Sequence, residues 1–271
     1  MLAPFCHSVA MGFSIDLLPA LADNYIYLIS DEGLGLAMVV DPGDPDVVIK
    51  ALQKKDLQLA LILNTHHHAD HTGGNAKLQA EYGAPVIGPA KEEHRIEGLS
   101  RGVDDGDIVT FSDLRGQVIE THGHTSGSIS FYFPTLKALF CGDTLFSLSC
   151  GRLFEGTAAQ MWKSLEKLRS LDEDTQIYPG HEYTERNVPF ALTLEKDNAD
   201  LNTRSQEIMK ARKKGQPTIP VSLEMEKKTN PFLRCDDLAF KKKLEKGGIP
   251  TDADAAAIFG ALRAAKDRFN G

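Results

Sequence analysis

Short apolar runs with the length and composition of β-strands recur through the first two-thirds of the chain. They cover residues 13–18, 25–29, 35–41, 59–64, 108–111, 117–121, 128–133 and 136–141. Most of these runs end at Gly, Pro, Asp or Asn, as strands usually do. Helical patterns cover residues 45–55, 74–82 and 158–171; in the last, Met161, Leu165 and Leu168 stand at i, i+4 and i+7. Consecutive strands mixed with helices predict an α+β fold of two sheets with helices outside them.

The pattern changes after about residue 185. Strand-like runs stop, and Lys, Glu, Arg and Ala dominate, with candidate helices near 185–213, 236–246 and 252–269. The last helix is expected to begin at Thr251 or Asp252, which are both good capping residues. We therefore expect an α+β domain over residues 1–185 and a smaller helical domain over residues 186–271.

Composition excludes several classes of protein. The chain has 271 residues, of which 42% are hydrophobic and 25% are charged, which is ordinary for a globular protein. The net charge is −8, with 38 acidic and 30 basic residues, so the charge gives no reason to expect nucleic-acid binding. No apolar run reaches the roughly 18 residues that a membrane helix needs, so no membrane association is expected.

The cysteines and the start of the chain indicate a cytoplasmic protein. The four cysteines are widely spaced and form no CxxC pair. A chain of this length can bury a sufficient core without disulfides, so we expect reduced thiols. The first basic residue is Lys50, which argues against a secretory signal or a transit peptide. Residues before Met11 are interpreted as a short extension, and translation from either Met1 or Met11 stays open.

A histidine-rich segment carries the first sign of chemistry. Residues 65–71, Thr-His-His-His-Ala-Asp-His, directly follow an apolar strand-like run. Alternate residues of an extended segment point the same way, so His66 and His68 can reach one metal ion. Asp70 and His71 lie further along, where the chain turns into a helix, and can face a second point. Imidazole and carboxylate groups are ligands of Zn, Fe(II) and Mn(II).

Three further candidate ligands follow strand-like runs. His124, Asp143 and His181 each stand on a loop after an apolar segment, where functional residues gather on such scaffolds. Each alone would be interpreted as an ordinary loop residue. Together with the segment 65–71 they predict a metal centre.

These motifs resemble those of the metallo-β-lactamase superfamily. The matching strings are HxHxDH at 66–71, GHTSG at 123–127, GDTLF at 142–146 and GHEY at 180–183. Within the superfamily the chain looks like the glyoxalase II, or hydroxyacylglutathione hydrolase, family over residues 13–269. Further matching strings are ADNY at 22–25, CGRLFEG at 150–156, NPFLR at 230–234 and RAAKDRF at 263–269. The resemblance implies an αββα sandwich, the metallo-β-lactamase fold, with a smaller C-terminal helical domain that binds substrate.

The resemblance also implies a ligand set for two divalent ions, with Zn expected and Fe or Mn open. Three histidines would hold the first ion, an aspartate and two histidines the second, and one aspartate would bridge them. In that order these are His66, His68 and His124; Asp70, His71 and His181; and Asp143. His67, pointing away from the ligand face, is left out of the set, and His94 and His122 are interpreted as surface or supporting residues.

The chemistry of such a centre fits thioester hydrolysis. Two ions about 3.5–4 Å apart can share one water and lower its pKa, which yields a hydroxide nucleophile without a Ser or Cys. A thiolate leaving group has a reference pKa near 8.5 and needs little help from an acid. The resemblance implies that this metal-bridged hydroxide converts S-D-lactoylglutathione to glutathione and D-lactate, in methylglyoxal detoxification. Asp70 and Asp143 would be the catalytic carboxylates.

The residues that bind the substrate are expected to be cationic, because glutathione presents carboxylates. Arg263 and Lys266 are spaced i, i+3 and share a helix face. In the resembling family these two positions, together with those of Arg152 and Tyr183, bind the glutathione moiety. Arg152 replaces the commoner Lys, which keeps the charge and alters its geometry. Phe154 stands where some members carry Tyr, so only ring or backbone contact is expected there, and a related thiol such as a polyamine conjugate stays open.

Other activities on the same fold were weighed against hydrolysis. A mononuclear iron persulfide dioxygenase needs only a His, His, Asp set and usually lacks the full helical C-terminal region, whereas this chain keeps His71 and His181 and has a long tail. In β-lactam hydrolases a Cys commonly takes the place of Asp143. A serine hydrolase is disfavoured because the chain has no GxSxG motif. We expect a monomer whose partner is a small-molecule glutathione thioester.

Overall fold

The computed structural model describes residues 5–8, 12–246 and 253–269. They belong to two units that interleave along the chain. The first unit comprises residues 1–120, 126–142 and 178–181, and the second comprises residues 121–125, 143–177 and 182–271. The expected division between residues 185 and 186 stays a prediction, and no continuous boundary reproduces these segments.

A seven-stranded sheet with the order β1 to β7 lies in the first unit. Its strands are β1 (Phe5–Ser8), β2 (Phe13–Ala20), β3 (Asn24–Asp31), β4 (Leu36–Val40), β5 (Gln58–Leu63), β6 (Val86–Pro89) and β7 (Leu99–Val103). Strands β1 to β4 pair antiparallel. Strands β4 to β7 pair parallel and so need crossover connections. Part of the segment expected to be a short extension is therefore strand β1, while Met1 and Met11 lie outside the described residues.

Helices supply the crossovers. They are α1 (Pro45–Lys55), α2 (Ala69–Thr72) and α3 (Asn75–Tyr82), followed by a 3-10 helix at Ala90–Arg95. Helix α1 begins where Asp44 accepts hydrogen bonds from the backbone N–H groups of Asp46 and Val47, with Pro at the first helical position. It buries Val48 and Leu52 against the sheet. The covered face contributes Leu18, Ile26, Leu28, Val39, Ile62 and Val86 to this core, and α3 contributes Leu78.

A second sheet packs on the other face of the first. Within the first unit it contains β8 (Ile108–Phe111), β9 (Leu114–Glu120), β10 (Ile129–Phe133) and β11 (Ala138–Gly142), in the order β11-β10-β9-β8. Aromatic side chains join the sheets: ring centroids of Tyr27 and Phe140 lie 5.4 Å apart, and those of Phe13 and Phe111 lie 6.4 Å apart. The two predicted sheets of an α+β fold are confirmed.

The second unit is mostly helical. It contains β12 (Leu145–Phe146), β13 (Ser149–Cys150), α4 (Ala158–Arg169), the start of β14 (Gln176–Pro179), α5 (Thr184–Glu195), α6 (Ala199–Lys213), β15 (Val221–Ser222), α7 (Leu223–Thr229), α8 (Leu238–Lys246) and α9 (Ala255–Asp267). Strands β12 and β13 form a hairpin, and β14 pairs antiparallel with β15. The two-residue strand β15 is too short for a hydrophobic pattern to predict.

The largest differences from the expected helices are at residues 185–213 and at the last helix. The stretch 185–213 is two helices, because the chain breaks after Lys196 and restarts at Asn198, whose side chain accepts a hydrogen bond from the backbone N–H of Leu201. Helix α9 is capped by Asp254, which accepts from the backbone N–H of Ala257. The expected caps Thr251 and Asp252 lie outside the described residues.

Two further findings concern the residues that the structure describes. Among the residues described, no helix combines the length and the apolar character needed to cross a bilayer. Cys141, Cys150 and Cys235 are buried and form no disulfide.

Candidate metal centre

The loop that carries the histidine-rich segment follows β5, and Asp41, at the end of the neighbouring strand β4, anchors it. Asp41 Oδ1 accepts from the backbone N–H of Thr65 at 2.8 Å, and Oδ2 accepts from the Thr65 hydroxyl at 2.7 Å. Gly43 lies against the same loop: a Cβ atom there would stand 1.8 Å from the backbone oxygen of Asp70. Only glycine permits so close a backbone approach.

His66 and His68 turn their rings toward each other. His66 Nε2 lies 3.0 Å from His68 Nδ1, and the ring centroids are 4.6 Å apart. His66 is 1% exposed, and its Nδ1 lies 3.0 Å from the Thr65 hydroxyl. That contact leaves His66 Nε2 directed at His68, so the two rings offer nitrogen atoms to one point.

Asp70, His71 and His181 form a second cluster in the same unit. Asp70 Oδ2 lies 3.5 Å from His71 Nε2 and 3.3 Å from His181 Nε2. The outer nitrogen of each ring faces a carboxylate: His71 Nδ1 lies 3.0 Å from Asp41 Oδ2, and His181 Nδ1 lies 3.0 Å from Asp23 Oδ1. A proton held on each Nδ1 leaves the Nε2 lone pair facing the cluster, which is how metal-binding histidines are usually oriented.

The electrostatic surroundings keep Asp70 ionised. Burial alone would raise the pKa of Asp70, but hydrogen bonds from His181 and Asn24 and the charge of His71 together hold that pKa well below its ordinary value. Asn24 Nδ2 donates to Asp70 Oδ2 at 2.9 Å. A carboxylate must be deprotonated to bind a metal ion, so the site keeps Asp70 in the binding form.

The two groups of the first unit are neighbours. The ring centroids of His66 and His71 are 4.1 Å apart. The donor set therefore combines imidazole nitrogen and carboxylate oxygen atoms without a thiolate. This chemistry fits divalent Zn, Fe or Mn.

His124 and Asp143 meet in the second unit. His124 Nε2 lies 3.4 Å from Asp143 Oδ2, while His124 Nδ1 donates to the backbone oxygen of Arg152 at 3.0 Å. Both side chains are buried. The Phe154 ring is 5.1 Å from the His124 ring and is 61% exposed, so it forms an apolar surface beside this pair. Gly151 permits the close approach, because a Cβ atom there would stand 1.8 Å from the Asp143 backbone oxygen.

The β12–β13 hairpin, which lies between Asp143 and Arg152 in the chain, is held by buried polar side chains. Glu226 accepts hydrogen bonds from the Ser147 hydroxyl at 2.6 Å and from the backbone N–H of Leu148 at 2.9 Å. Asn230 Nδ2 donates to the backbone oxygens of Phe146 and Ser149, each at 3.0 Å. The string NPFLR thus has a local role: its first residue fixes the hairpin.

The predicted substrate residues on α9 lie partly inside the helical unit. Arg263 is 5% exposed and donates from Nη1 to the backbone oxygen of Cys150 at 3.0 Å and from Nη2 to Asp267 Oδ1 at 2.8 Å. Lys266 Nζ donates to the backbone oxygen of Arg186 at 3.4 Å. Burial, followed by the charge of Arg263, lowers the pKa of Lys266. The Arg263 guanidinium is therefore buried, and its Nη1 and Nη2 atoms already donate hydrogen bonds within the helical unit.

Tyr183 lies at the start of α5. Its ring centroid is 5.1 Å from that of Phe146, and the Arg186 guanidinium is 5.9 Å from its centre. The ring is therefore packed between the hairpin and the first turn of the helix, and that packing limits its orientation.

Asp23 and Asp41 are site residues that the sequence reasoning missed. Asp41 ends an apolar run, as Asp143 does, so its position carried the same signal as the predicted ligands. Asp23 stands in the string ADNY, which was noted as a family resemblance with no role attached. Their function as partners of histidine Nδ1 atoms becomes visible only in the folded structure.

Comparison with known proteins identifies the family. The model of the metallo-β-lactamase superfamily matches residues 22–181, and the model described as hydroxyacylglutathione hydrolase C-terminus matches residues 182–269. The hydroxyacylglutathione hydrolase of Rhodospirillum rubrum is 45% identical over 255 residues, covering 94% of this chain and 98% of that protein. The chain belongs to the hydroxyacylglutathione hydrolase family. Another member, from a Synechococcus species, is 47% identical over 94% of this chain and 99% of its own length.

Solved structures show the same fold. The crystal structure of ETHE1 from Myxococcus xanthus superposes with a TM-score of 0.63 at 28% identity, covering 93% of this chain and 97% of that one. The BLEG-1 B3 metallo-β-lactamase superposes with a TM-score of 0.64 over 81% of this chain and 99% of that one; at 23% identity this likeness concerns the fold alone. The predicted metallo-β-lactamase fold with a C-terminal helical region is confirmed.

Proposed function

We propose that this member of the hydroxyacylglutathione hydrolase family hydrolyses 2-hydroxyacylglutathione thioesters, with S-D-lactoylglutathione giving glutathione and D-lactate, as in methylglyoxal detoxification. The observation that carries the proposal is the match of both halves of the chain, including residues 182–269, to hydrolases of that name. The persulfide dioxygenase alternative is not favoured, because these relatives align over nearly the full length of the chain.

The proposed metal ligands are those implied by the sequence. One ion would be held by His66, His68 and His124, the other by Asp70, His71 and His181, with Asp143 shared between them. The support lies within each unit, in the paired rings of His66 and His68, the Asp70 cluster and the short distance between His124 and Asp143. Bound there, divalent ions would polarise a thioester carbonyl and lower the pKa of water.

The residues of the chain prepare the site for this chemistry. Asp41 and Asp23 hold His71 and His181 so that Nε2 faces inward, and Asn24 holds the Asp70 carboxylate. Fixed orientation matters because no reorganisation is then needed when charge develops on the reacting carbonyl oxygen. The leaving thiolate is stable enough that no dedicated acid is required.

The proposed glutathione contacts are Arg152, Phe154, Tyr183, Arg263 and Lys266. The lowered pKa of Lys266 supports this role, since burial and the nearby Arg263 guanidinium both disfavour its charge. A substrate carboxylate at that position would offset both effects through charge-assisted hydrogen bonds. Phe154 offers an exposed ring beside His124 for apolar contact.

The finer properties of the enzyme are also proposals. We expect zinc at both positions, because imidazole and carboxylate donors suit it, although iron and manganese share these donors. We expect a monomer in the cytoplasm, and the three buried thiols without disulfides accord with a reducing compartment.

The test is a substrate panel on one batch of purified protein. S-D-lactoylglutathione, glutathione persulfide and a β-lactam are supplied separately, and the metal content is measured on the same sample. We expect equimolar glutathione and D-lactate from the thioester and no turnover of the other two compounds. Oxygen uptake with the persulfide and no thioester hydrolysis would overturn the proposal in favour of the dioxygenase.

A further inference from the structure

His67 stands between two proposed metal ligands, and the ligand set leaves it out. Its ring lies near that of His68, with 4.7 Å between the centroids, but its Nδ1 atom is not directed at the His66–His68 pair. Instead, His67 Nδ1 lies 2.9 Å from Glu92 Oε2, and the same oxygen accepts from the backbone N–H of His67 at 2.7 Å. The middle residue of the motif is thus held twice by one carboxylate oxygen.

Glu92 is a buried acid in the 3-10 helix after β6. Its side chain is fully buried, and its second oxygen, Oε1, accepts from the backbone N–H of Gly127 at 3.0 Å. Gly127 belongs to the string GHTSG and follows His124 by three residues. One side chain therefore holds both the histidine loop and the backbone at Gly127.

The neighbourhood of Glu92 leaves little freedom. A Cβ atom on Gly127 would stand 2.5 Å from Glu92 Cγ and 3.1 Å from its Cδ. The Glu92 side chain therefore packs closely against the Gly127 backbone, and a larger residue at position 127 would displace the carboxyl group. Burying a carboxylate is costly unless it is well hydrogen-bonded. The contacts with His67 and Gly127 supply that compensation.

Glu92 acts on the histidine loop by fixing its middle residue, His67. When His67 is fixed toward Glu92 at both its backbone and its ring, the backbone that carries His66 and His68 on either side of it is fixed as well. In this arrangement His66 Nε2 and His68 Nδ1 lie 3.0 Å apart. Outer groups that orient metal ligands in this way commonly control metal affinity.

We propose that Glu92 is a positioning residue that preorganises the His66–His68 pair for its metal ion, acting through His67 and Gly127. The inference rests on the proposed function, because it takes the ligand set from there. It assigns a role to His67 and to a glutamate outside every motif noted in the sequence.

The test compares metal affinity in two matched variants. Glu92→Gln keeps the size of the side chain, but an amide presents one oxygen and one NH2 group, so it cannot accept on both sides. Glu93→Gln makes the same chemical change one residue later, on an exposed side chain. Metal-free protein is titrated with Zn²⁺ against a competing chromophoric chelator, and the thermal unfolding of each metal-free variant is recorded.

We expect Glu92→Gln to weaken Zn²⁺ binding at least tenfold, the range found for outer groups of metal sites, and Glu93→Gln to change it less than twofold. Affinity within twofold of wild type in Glu92→Gln would overturn the proposal. A lower melting temperature of the metal-free protein with unchanged affinity would also overturn it, since that result describes a purely structural residue.

A second pair of variants keeps the test decisive if Glu92→Gln fails to fold. His67→Ala removes the ring contact and leaves the backbone one, so we expect a smaller loss of affinity, several-fold. Gly127→Ala displaces the carboxyl group and should weaken binding as well. Wild-type affinity in both would refute the proposal. The titration uses no substrate, so a protein that binds ions without hydrolysing thioesters would refute the proposed function and leave this comparison intact.

Discussion

Two histidines near the proposed metal positions in the first unit have different partners at their two ring nitrogens. His71 and His181 face the cluster with Nε2 and a carboxylate with Nδ1. The carboxylate fixes both the tautomer and the angle of the ring. Because the partners are Asp41 and Asp23, far from the histidines in sequence, the arrangement depends on the folded sheet as much as on the motif.

Replacing Asp70 with Ala is expected to lower kcat at least tenfold and to leave KM nearly unchanged. The carboxylate belongs to the proposed metal ligands, and Asp70 is not among the proposed glutathione contacts. Steady-state kinetics with S-D-lactoylglutathione measure the effect, with the substitution of Asp46, an exposed residue of α1, by Ala as the control. A kcat near wild type would remove Asp70 from the catalytic set.

At this scale the sequence predicts the donors but not the groups behind them. His66, His68, Asp70 and His71 fall within one short motif, so their relation is local and can be seen in the pattern. Asp23 meets His181 across 158 positions, and Glu92 meets His67 across 25. No periodicity encodes such contacts, because only the pairing of strands brings those residues together.

Individual elements of the helical unit support the loops that carry function. Helix α7 supplies Glu226, which is fully buried and receives hydrogen bonds from the β12–β13 hairpin. Burial raises the pKa of Glu226, although its hydrogen bonds partly oppose the rise. The exposed neighbour Glu224 behaves in the opposite way, because a hydrogen bond from Lys228 lowers its pKa.

These shifts predict opposite pH dependences of stability on one helix. A raised folded-state pKa means that the Glu226 contribution is complete below its ordinary value of 4.5 and is lost as the pH rises through the folded value. The unfolding free energy of the wild type minus that of Glu226→Gln should therefore fall above pH 4.5, by up to about 1.4 kcal/mol per pH unit.

The Glu224→Gln control should show the reverse trend. Its lowered pKa gives a contribution that is present above the ordinary value and is lost as the pH falls. Urea unfolding of the three proteins between about pH 3 and pH 8 measures both trends, because the Glu224 contribution is lost below pH 4.5. A wild-type advantage over Glu226→Gln that grew with pH would contradict the assignment.

Two residues of helix α9 are expected to differ in their effects on substrate binding and on stability. Arg263→Ala should raise KM for S-D-lactoylglutathione and should also lower the unfolding free energy by about 3 kcal/mol, because the hydrogen bond to the Cys150 backbone oxygen is lost in a buried setting. Lys266→Ala should raise KM about tenfold, equivalent to about 1.4 kcal/mol, with under 1 kcal/mol lost in stability.

Kinetics and denaturant unfolding of both single variants test this separation. A thioester without the tripeptide serves as the control substrate, since it has no carboxylate for these cations to hold. Unchanged KM in Lys266→Ala would remove that residue from the glutathione contacts. Equal stability of Arg263→Ala and the wild type would contradict the structural role of the guanidinium.

The elements with clear periodicity were the ones the sequence predicted. Helix α1 has the predicted bounds, because its Asp44 cap, its proline and its apolar spacing agree. The prediction of continuous helix over 185–213 was wrong. The composition of that stretch favours helix throughout, and only the Asn198 cap marks the break. Strands β12, β13 and β15 contain two residues each, so their existence depends on partners rather than on pattern.

At the scale of the whole molecule, elemental analysis of active protein should find about two divalent ions per chain. Seven proposed ligands with one shared carboxylate support that number. Asp143→Ala should reduce the content of both ions and abolish activity, whereas Asp46→Ala should retain both. One tightly bound ion with full turnover would contradict the two-ion proposal.

The fold class of the whole chain could be predicted from the sequence, but the two interleaved units could not be defined from composition. Alternating runs gave the two sheets, and the later loss of such runs gave the helical region. Residues 121–125 and 143–177 belong to the second unit although they lie among the strands of the first. A boundary inferred from composition follows the chain in order, so it has no means of assigning such interleaved segments.

The buried cysteines bear on a reaction whose product is itself a thiol. Exchange with a disulfide needs an accessible thiolate. Cys150 is 3% exposed, and burial raises its pKa to about 11; Cys141 and Cys235 are wholly buried. These three side chains are therefore poor partners for oxidised glutathione, and no mixed disulfide should form on them while the protein stays folded. An enzyme that releases glutathione at every turnover would in this way keep working, unmodified at these positions, while the surrounding glutathione pool becomes oxidised.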